Sequence, residues 1–598
     1  MTMSVENVLG QYVQIDVPTH KIISELADQF DEPNNLIRAI DELVQAMIIG
    51  GEIFQRQYSP LAGKVVQTLK EVQGNRSIFS RFLDAAEVSC GTHEFYSEKK
   101  IEPDFSQEYL QLMFEQHKND TTLPLEVVAD FLFNDQVMPN LPEQRGVYPA
   151  EVNPAFDAGE MLLSQIKKHQ QGKLAYTSPY VLPDGKIKTM NFSRLFKTEL
   201  EQIDQLMHNS ADLLEDLGEN NSNKGLVMFA DYLRKFSEAN TTLKGKFPYT
   251  PGDIAMVRAY KEGGIPFFAY IGFGDGYSDK FGVKNMLSGE IGIETKECRE
   301  LASMISGFEN MQILEDNIPF APARRENIAT VPVLIQDIVF RAGGTFVGSQ
   351  GIAVTYLSED QKVIDKEGTV IAGWRNVLDA KGRHILNPIA RAILPEEFVS
   401  EYSKVFDDLL SMSFAIGTMS HEQRHFIGEQ MPRPELTIAL GKNFNAINEG
   451  KAEIGRLYSF GELITSAHKG LSADELQAFF RQAYFSEVFR HIRFGKENPY
   501  GLSAMMRLNY FINEGQGAVT IGNDLKVQIN DDKLLQANEN LYKLHLQITQ
   551  EGDTSAAEAF VKEFSIKDGS KFDGQVKGVL KRLDAQNIPR DIILNYQI

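Results

Sequence analysis

The stretch that decides the fold runs from Glu396 to Gln430 and reads EEFVSEYSKVFDDLLSMSFAIGTMSHEQRHFIGEQ. No proline interrupts it, and apolar residues recur at three- and four-residue spacing, so the pattern predicts a helix that Pro432 and Pro434 would end. The pentapeptide HEQRH, residues 421–425, lies inside this helix. Because residues four apart share one helix face, both imidazoles can bind one metal ion while the glutamate stands beside it. The stretch therefore predicts a helix able to hold a catalytic metal.

The next predicted helix supplies a candidate third ligand. It contains NEGKAE at residues 448–453, in which Glu449 and Glu453 lie four residues apart and so share a face. One carboxylate could bind the metal while the other accepts a hydrogen bond from a ligand histidine. The alternative is that the motif is two surface histidines beside a glutamate, and that both carboxylates are ordinary solvated charges.

The charge of the chain excludes two classes of partner. Its 598 residues carry a formal net charge of −22, which repels phosphate backbones and anionic lipid surfaces. No run of lysine and arginine offsets this excess, so we expect neither a nucleic-acid nor a membrane partner. With 42% hydrophobic residues, the composition is that of a folded protein and excludes disorder of the whole chain.

The number of cysteines and the sequence of the amino-terminal segment indicate the cellular compartment. Cys90 and Cys298 are the only cysteines, and they provide neither a disulfide framework nor a thiolate metal cluster. The sequence starts without a basic segment followed by an apolar one, and no stretch approaches the roughly 18 apolar residues of a membrane span. We therefore expect a cytoplasmic protein.

The character of the sequence changes twice along the chain. To about residue 240 it reads as helices broken by loops. Between about 245 and 385, short β-branched and aromatic runs punctuated by glycine predict a β-rich subdomain, interrupted by a helical segment around 295–310. The remainder is again helix-rich, around one short strand pair in GAVTIGNDLKVQI at 517–529.

The pairing of HExxH with NEGKAE resembles the zinc signature of the dipeptidyl peptidase III family of metallopeptidases, which usually reads HExxGH and then EECRAE. The five-residue HExxH motif, one residue shorter than the family's usual motif, indicates a divergent, bacterial-type member. Further similar segments occur in the family's order from about residue 265 to the end. These segments are YIGFGDGYSDKFGVKNMLSGEIG at 270–292, AGGTFVGSQGIAVTYL at 342–357, VIAGWRNVL at 370–378, SAMMRLNYFINEGQGAVTI at 503–521 and IPRDIILN at 588–595.

The resemblance implies an α+β protein of two lobes separated by a wide cleft. One lobe is mainly helical and binds zinc, and the other combines a β-barrel-like subdomain with helices. The expected segments are 1–294 for the lower lobe, 295–332 for an upper-lobe segment, 333–385 for the continued β subdomain, 386–565 for the helical zinc-binding catalytic lobe, and 566–598 for a C-terminal segment returning toward the cleft.

The resemblance also implies the roles of particular residues around one Zn²⁺ per chain. The implied roles are His421, His425 and Glu449 as zinc ligands, Glu453 as the partner of a ligand histidine, Glu422 as general base, Tyr277 as the donor to the oxyanion, and Asp275, Arg507 and Arg590 as substrate-binding residues.

Three positions depart from the family pattern. Ala353 and Tyr356 fall where the family has paired asparagines that hold the substrate amino terminus, and Ser503 replaces an active-site histidine. The resemblance implies a zinc-dependent exopeptidase, a monomer or homodimer, that releases short peptides from the amino terminus of an oligopeptide substrate. Because of these losses, two alternatives stay open: a peptide-binding or regulatory protein with little turnover, and a zinc hydrolase with a non-dipeptidyl substrate.

Overall fold

A computed structural model describes residues 2–597 except 59, 74–78, 90–99, 117–120, 134–175, 182–186, 276–283, 305–331, 345–349, 357, 426–432, 465–467, 497, 566 and 568. Elements up to residue 293 are mostly helices, joined by short strands. They are β1 (Thr2–Ser4), α1 (Val5–Leu9), β2 (Tyr12–Val17), α2 (Thr19–Ala27), α3 (Pro33–Tyr58), α4 (Pro60–Gln73), α5 (Ser80–Val88), β3 (Lys100–Glu102), α6 (Gln107–Gln116), α7 (Leu125–Phe133), β4 (Thr177–Val181), β5 (Ile187–Asn191), α8 (Phe192–Leu195), α9 (Lys197–Asn220), α10 (Lys224–Thr242), α11 (Thr250–Glu262), β6 (Phe267–Asp275) and β7 (Met286–Ile293).

The elements after residue 293 contain the two motifs. They are α12 (Lys296–Met304), β8 (Val333–Gly343), β9 (Ala353–Tyr356), α13 (Gln361–Glu367), β10 (Val370–Trp374), α14 (Arg375–Lys381), a π-helical turn (Gly382–Leu386), α15 (Asn387–Ile393), α16 (Glu396–Glu401), α17 (Phe406–Arg424), α18 (Arg433–Leu440), a 3₁₀ turn (Gly441–Asn443), α19 (Phe444–Leu463), α20 (Ala473–Ile492), α21 (Pro499–Asn513), β11 (Val519–Ile521), β12 (Val527–Ile529), α22 (Asp531–Glu551), α23 (Thr554–Phe564), α24 (Lys571–Ala585) and β13 (Asp591–Tyr596).

The α+β class expected from the sequence is confirmed. The largest sheet has the strand order β6-β7-β8-β10-β9, and two-stranded sheets pair β1 with β3, β4 with β5, β11 with β12, and β2 with β13. The β-barrel-like subdomain that the resemblance implied is wrong in this respect: within the described strands the five-stranded sheet is open, with β6 and β9 as its edges.

The described chain divides into two compact units. The first comprises Met1–Ile293, Ile338–Gln350 and Ile593–Ile598, and the second comprises Glu294–Asp337 and Gly351–Ile592. The lobe and segment boundaries expected from the resemblance stay a prediction.

In the first unit, helix α3 packs against α9 and strand β7. Its apolar residues Leu36, Ile40, Leu43 and Met47 are buried at three- and four-residue spacing, as expected for a helix that covers a core with one face. Strand β7 is buried along its whole length, and so is most of β6, which pairs antiparallel with it.

In the second unit, α17 is the central element. It packs against α19, α20, β9 and β10, and most of its residues are buried on every side. The single helix predicted over 396–430 is in fact two helices within the described residues, because α16 ends at Glu401 and α17 begins at Phe406. Asp407 and Asp408 in the first turn of α17 favour its start, since acidic side chains interact favourably with a helix amino terminus.

Among the described residues, no helix combines the length and the apolar composition needed to cross a membrane.

Gly417 of α17 marks a close approach between two helices. A Cβ atom added there would lie 2.4 Å from Arg456 Nε and 2.6 Å from its Cζ. The Arg456 guanidinium cannot move aside freely, because it is buried and hydrogen-bonded to Glu487. The packing of α17 on α19 therefore depends on the absence of a side chain at Gly417.

We expect Gly417→Ala to lower the free energy of unfolding by about 1–3 kcal/mol, the cost of overpacking a core. The matched control is Gly574→Ala in α24, where an added Cβ meets no atom within 4 Å. That change should stabilise by roughly 0.5–1 kcal/mol, as alanine normally does in a helix. Urea unfolding of both variants measures the difference, and equal effects would contradict the close approach.

Candidate metal centre

The two histidines of the HExxH motif lie at the carboxyl end of α17. His421 is in its last turn, and His425 is the C-cap residue, with φ −62° and ψ −25°. Both side chains are buried, and their Nε2 atoms lie 3.0 Å apart. The helix therefore aims both rings at one point, as the spacing of four residues predicted.

Glu449 of α19 brings a carboxylate to the same point. Its Oε2 lies 3.2 Å from His421 Nε2 and 3.8 Å from His425 Nε2. Among the described residues, these three buried side chains form a group that could hold a metal ion. The structure thus brings together the three residues that the sequence nominated as ligands.

The donor group fits a zinc ion in chemistry and in size. Two imidazole nitrogens and one carboxylate oxygen are the donors of many catalytic zinc sites. With bonds of about 2.0–2.1 Å, two ligands of a tetrahedral zinc lie about 3.3 Å apart. The three donor separations here bracket that value. The residues present therefore fit the metal that the resemblance implies.

Glu453 lies behind His421, one helical turn after Glu449. Its Oε1 is 3.0 Å from His421 Nδ1, so it can accept the proton of the ring nitrogen that faces away from the metal position. Burial raises the pKa of the Glu453 carboxyl, but Arg456 and Arg507 outweigh this effect and hold the pKa well below its ordinary value. Glu453 therefore stays an anion in the protein interior.

Two carboxylates surround His421. Burial lowers the pKa of His421, whereas hydrogen bonds to Glu449 and Glu453 and the charges of both raise it to about 10. The pocket thus favours a positive charge at its centre, which suits a metal cation.

His425 is held by two other residues of α19. The side-chain amide of Asn448 lies 3.1 Å from His425 Nδ1, measured from Asn448 Nδ2. Lys451 Nζ donates a 3.1 Å hydrogen bond to the His425 carbonyl oxygen. This carbonyl belongs to the C-cap residue of α17, so the buried lysine contributes a hydrogen bond at the end of the helix.

Glu422, between the two histidines in sequence, is half-buried and does not belong to the donor group. The hydroxyl of Thr355 on β9 donates a 2.8 Å hydrogen bond to Glu422 Oε2. A carboxylate next to a metal position, but separate from the ligands, is placed as a general base requires.

Buried arginines complete the surroundings of Glu453. Arg507 donates a 3.1 Å hydrogen bond to Glu453 Oε2 and another to the Tyr484 hydroxyl. Arg456 donates to Glu487 Oε2 at 2.7 Å and lies 3.6 Å from Glu453 Oε1. Arg507 thus supports Glu453 in this structure, and substrate binding by Arg507 stays a prediction.

The other residues with predicted substrate roles belong to strands β6 and β13 or their neighbours. Asp275 ends β6 in the first unit and is half-buried, and Arg590 is a half-buried residue directly before β13 in the second unit. The start of β13 is fixed by a fully buried ion pair, 2.8 Å long, between Lys381 and Asp591. Tyr277 lies outside the described residues. The substrate roles of all three stay predictions.

Sequence reasoning missed several residues around the donors. Asn448, Lys451 and Arg456 share helix α19 with Glu449, and a search of that helix for polar residues close to the ligand could have found them. Thr355 carries no such signal, because its contact with Glu422 depends on how β9 packs against α17.

We expect zinc to raise the melting temperature of the metal-free protein, because a ligand that binds only the folded state stabilises it. At a zinc concentration 100-fold above Kd the gain is about 2.7 kcal/mol. His421→Ala should abolish the shift, and His208→Ala, a partly exposed histidine in the first unit, should retain it. Differential scanning calorimetry with and without chelator measures this, and an unchanged shift in His421→Ala would exclude the proposed ligands.

The sequence of the chain is similar to that of a curated protein. No family model matches the chain. A curated relative, Nudix hydrolase 3 of Arabidopsis thaliana, is 26% identical over 449 residues, which cover 73% of this chain and 51% of that protein. The chain therefore spans about half the length of the curated relative it matches, and the name of that relative describes that protein alone.

Two solved structures match over nearly the whole chain. Dipeptidyl peptidase III from Caldithrix abyssi superposes with a TM-score of 0.68 at 19% identity and covers 99% of each chain. Dipeptidyl-peptidase III from Corallococcus sp. strain EGB superposes with a TM-score of 0.71 at 22% identity, covering 100% of this chain and 98% of the other. The resemblance seen in the motifs is confirmed at the level of the fold, and this chain has the fold of dipeptidyl peptidase III.

Proposed function

We propose that this protein is a zinc-dependent exopeptidase that releases short peptides from the amino terminus of an oligopeptide. The observation that carries the proposal is the buried group of His421, His425 and Glu449, with Glu422 beside it. The fold shared with two proteins named dipeptidyl peptidase III supports the same reaction class.

The proposed chemistry assigns each residue one task. His421, His425 and Glu449 would hold one Zn²⁺, and Glu453 and Asn448 would orient the two imidazole rings. Zinc, when bound, polarises a carbonyl and lowers the pKa of a water molecule to near 7. Glu422 takes the proton of the attacking water and passes it to the leaving amine, which is general base followed by general acid catalysis.

Substrate recognition is proposed for residues outside the donor group. Asp275 would receive the ammonium group of the substrate, Arg590 would face its carboxylate or backbone, and Tyr277 would donate its hydroxyl to the developing oxyanion. An acidic residue suits an amino-terminal ammonium, and an arginine suits a carboxylate, because each pairs with the opposite charge.

We also propose the partner of the protein, its oligomeric state and its location in the cell. The acidic charge supports an oligopeptide partner rather than nucleic acid or a membrane surface. We also propose a monomer or homodimer, and, from the two cysteines alone, a cytoplasmic location.

A second candidate function follows from what replaces the family's substrate-binding groups. Ala353 offers no side-chain hydrogen bond, Tyr356 is half-buried on β9, and Ser503 is buried in α21. A protein with a weaker grip on the substrate amine could bind peptides with little turnover or hydrolyse substrates other than dipeptidyl ones. Peptide profiling separates these functions.

We expect the purified protein to hold about one zinc per chain and to release dipeptides from free peptides, but not from amino-acetylated ones, because the ammonium is part of the recognition. Metal analysis and mass spectrometry of the digests measure both. Cleavage of free and acetylated peptides alike would favour the non-dipeptidyl hydrolase, and zinc binding without any cleavage would favour the peptide-binding protein.

We expect Glu422→Gln to keep its zinc and its melting temperature while losing about 10²- to 10⁴-fold in kcat, the range that general acid–base catalysis supplies. The matched control is Glu558→Gln, an exposed glutamate of α23, which should behave as the native chain does. Equal turnover in Glu422→Gln and the native protein would rule out Glu422 as the base.

A further inference from the structure

We infer that Thr355 is a positioning residue that holds Glu422 in the orientation a general base needs, an inference that rests on the proposed function. Thr355 lies on the edge strand β9, and Glu422 lies in the last turn of α17. The two residues are 67 positions apart in the chain and belong to the same compact unit. Their contact is therefore a product of the packing of a strand on a helix.

The packing that makes this contact begins at Gly373 of β10. A Cβ atom added to Gly373 would lie 2.4 Å from Met419 Sδ, so the absence of a side chain lets α17 lie directly against the strand. Met419 precedes Glu422 by three residues and shares its face of the helix. The face of α17 that carries Glu422 is thus the face that rests on the sheet.

The register of the sheet places Thr355 on the same surface. Strands β9 and β10 are antiparallel, with Ala353 opposite Gly373 and Thr355 opposite Ile371. Because side chains two residues apart point to one face of a sheet, all four positions lie on the face that meets α17. A shift of one residue would turn Thr355 to the other face.

The Thr355 hydroxyl has two acceptors on Glu422. Its Oγ1 is 2.8 Å from the carboxylate Oε2 and 3.4 Å from the main-chain carbonyl oxygen. A hydroxyl has a single proton to donate, and the shorter distance identifies the carboxylate as the acceptor. The bond is therefore charge-assisted, which makes it stronger than a bond between neutral groups.

This hydrogen bond restricts the rotation of the Glu422 side chain. Glutamate has three rotatable bonds, and Glu422 is only half-buried, so packing alone does not fix its carboxylate. A general base acts only when it lies within hydrogen-bond reach of the proton it removes. Thr355 contributes to the reaction through Glu422 and need not touch the substrate.

The test compares Thr355→Val, which removes the hydroxyl but keeps the shape, with Thr355→Ser, which keeps the hydroxyl. We expect Thr355→Val to lower kcat about ten- to a hundredfold, the factor expected for a hydrogen bond to a charged group. Its KM should stay within about twofold, because a positioning residue acts on the chemical step. Thr355→Ser should restore most of kcat, and zinc content should be equal in both.

Thr520→Val serves as the matched control, because Thr520 is an exposed strand threonine on β11 of the same unit. It should leave kcat and KM unchanged. The inference is overturned if Thr355→Val turns over as fast as the native chain, if serine fails to rescue, or if KM rises with kcat unchanged, which would mark Thr355 as a substrate contact.

A double-mutant cycle in the metal-free protein separates this inference from the proposed function. Thr355→Val should lower the melting temperature more in the native background than in Glu422→Ala, where the carboxylate is gone and only the main-chain carbonyl, 3.4 Å away, can accept the hydroxyl proton. If the native chain cuts no peptide, the proposed function fails. If the two substitutions have additive effects on the melting temperature, the hydrogen bond is absent and the inference fails.

Discussion

The donor group depends on the contact between His421 and Glu453, which orients the imidazole ring of His421. This contact requires an anion, the Glu453 carboxylate, in the protein interior. An isolated buried carboxylate would be strongly unfavourable, and this one is balanced by Arg456 and Arg507. Arg456 in turn needs Glu487, its second buried partner. The ligand geometry therefore rests on a chain of charges that reaches from α19 into α20 and α21.

Such a network explains why the core around the site is polar as well as apolar. Removing one partner of a buried pair leaves the other charge uncompensated and typically costs about 3–5 kcal/mol. The guanidinium of Arg456 also fills the space opposite Gly417. The same guanidinium therefore takes part in the electrostatic network and in the packing of α17. A change in one alters the other, and the site is held in place by both.

Much of the donor group could be predicted from the sequence because its geometry is local. The spacing of His421 and His425, and of Glu449 and Glu453, follows from the pitch of a helix. Thr355 could not be found in this way, since its distance from Glu422 depends on the register of β9 and on the side chain missing at Gly373. The break between α16 and α17 was missed as well, because Tyr402–Val405 contains neither proline nor glycine.

The pairing of β2 with β13 has a consequence for synthesis of the chain. Asn595 hydrogen-bonds Asp16, 579 residues earlier, and Gln597 N donates to the Val17 carbonyl. At the usual 5–20 residues per second, β2 leaves the ribosome about 30–120 s before its partner strand exists. During that interval its main-chain groups are open to pairing with other chains, and the charged, exposed Asp16 is a side chain that makes such pairing less favourable.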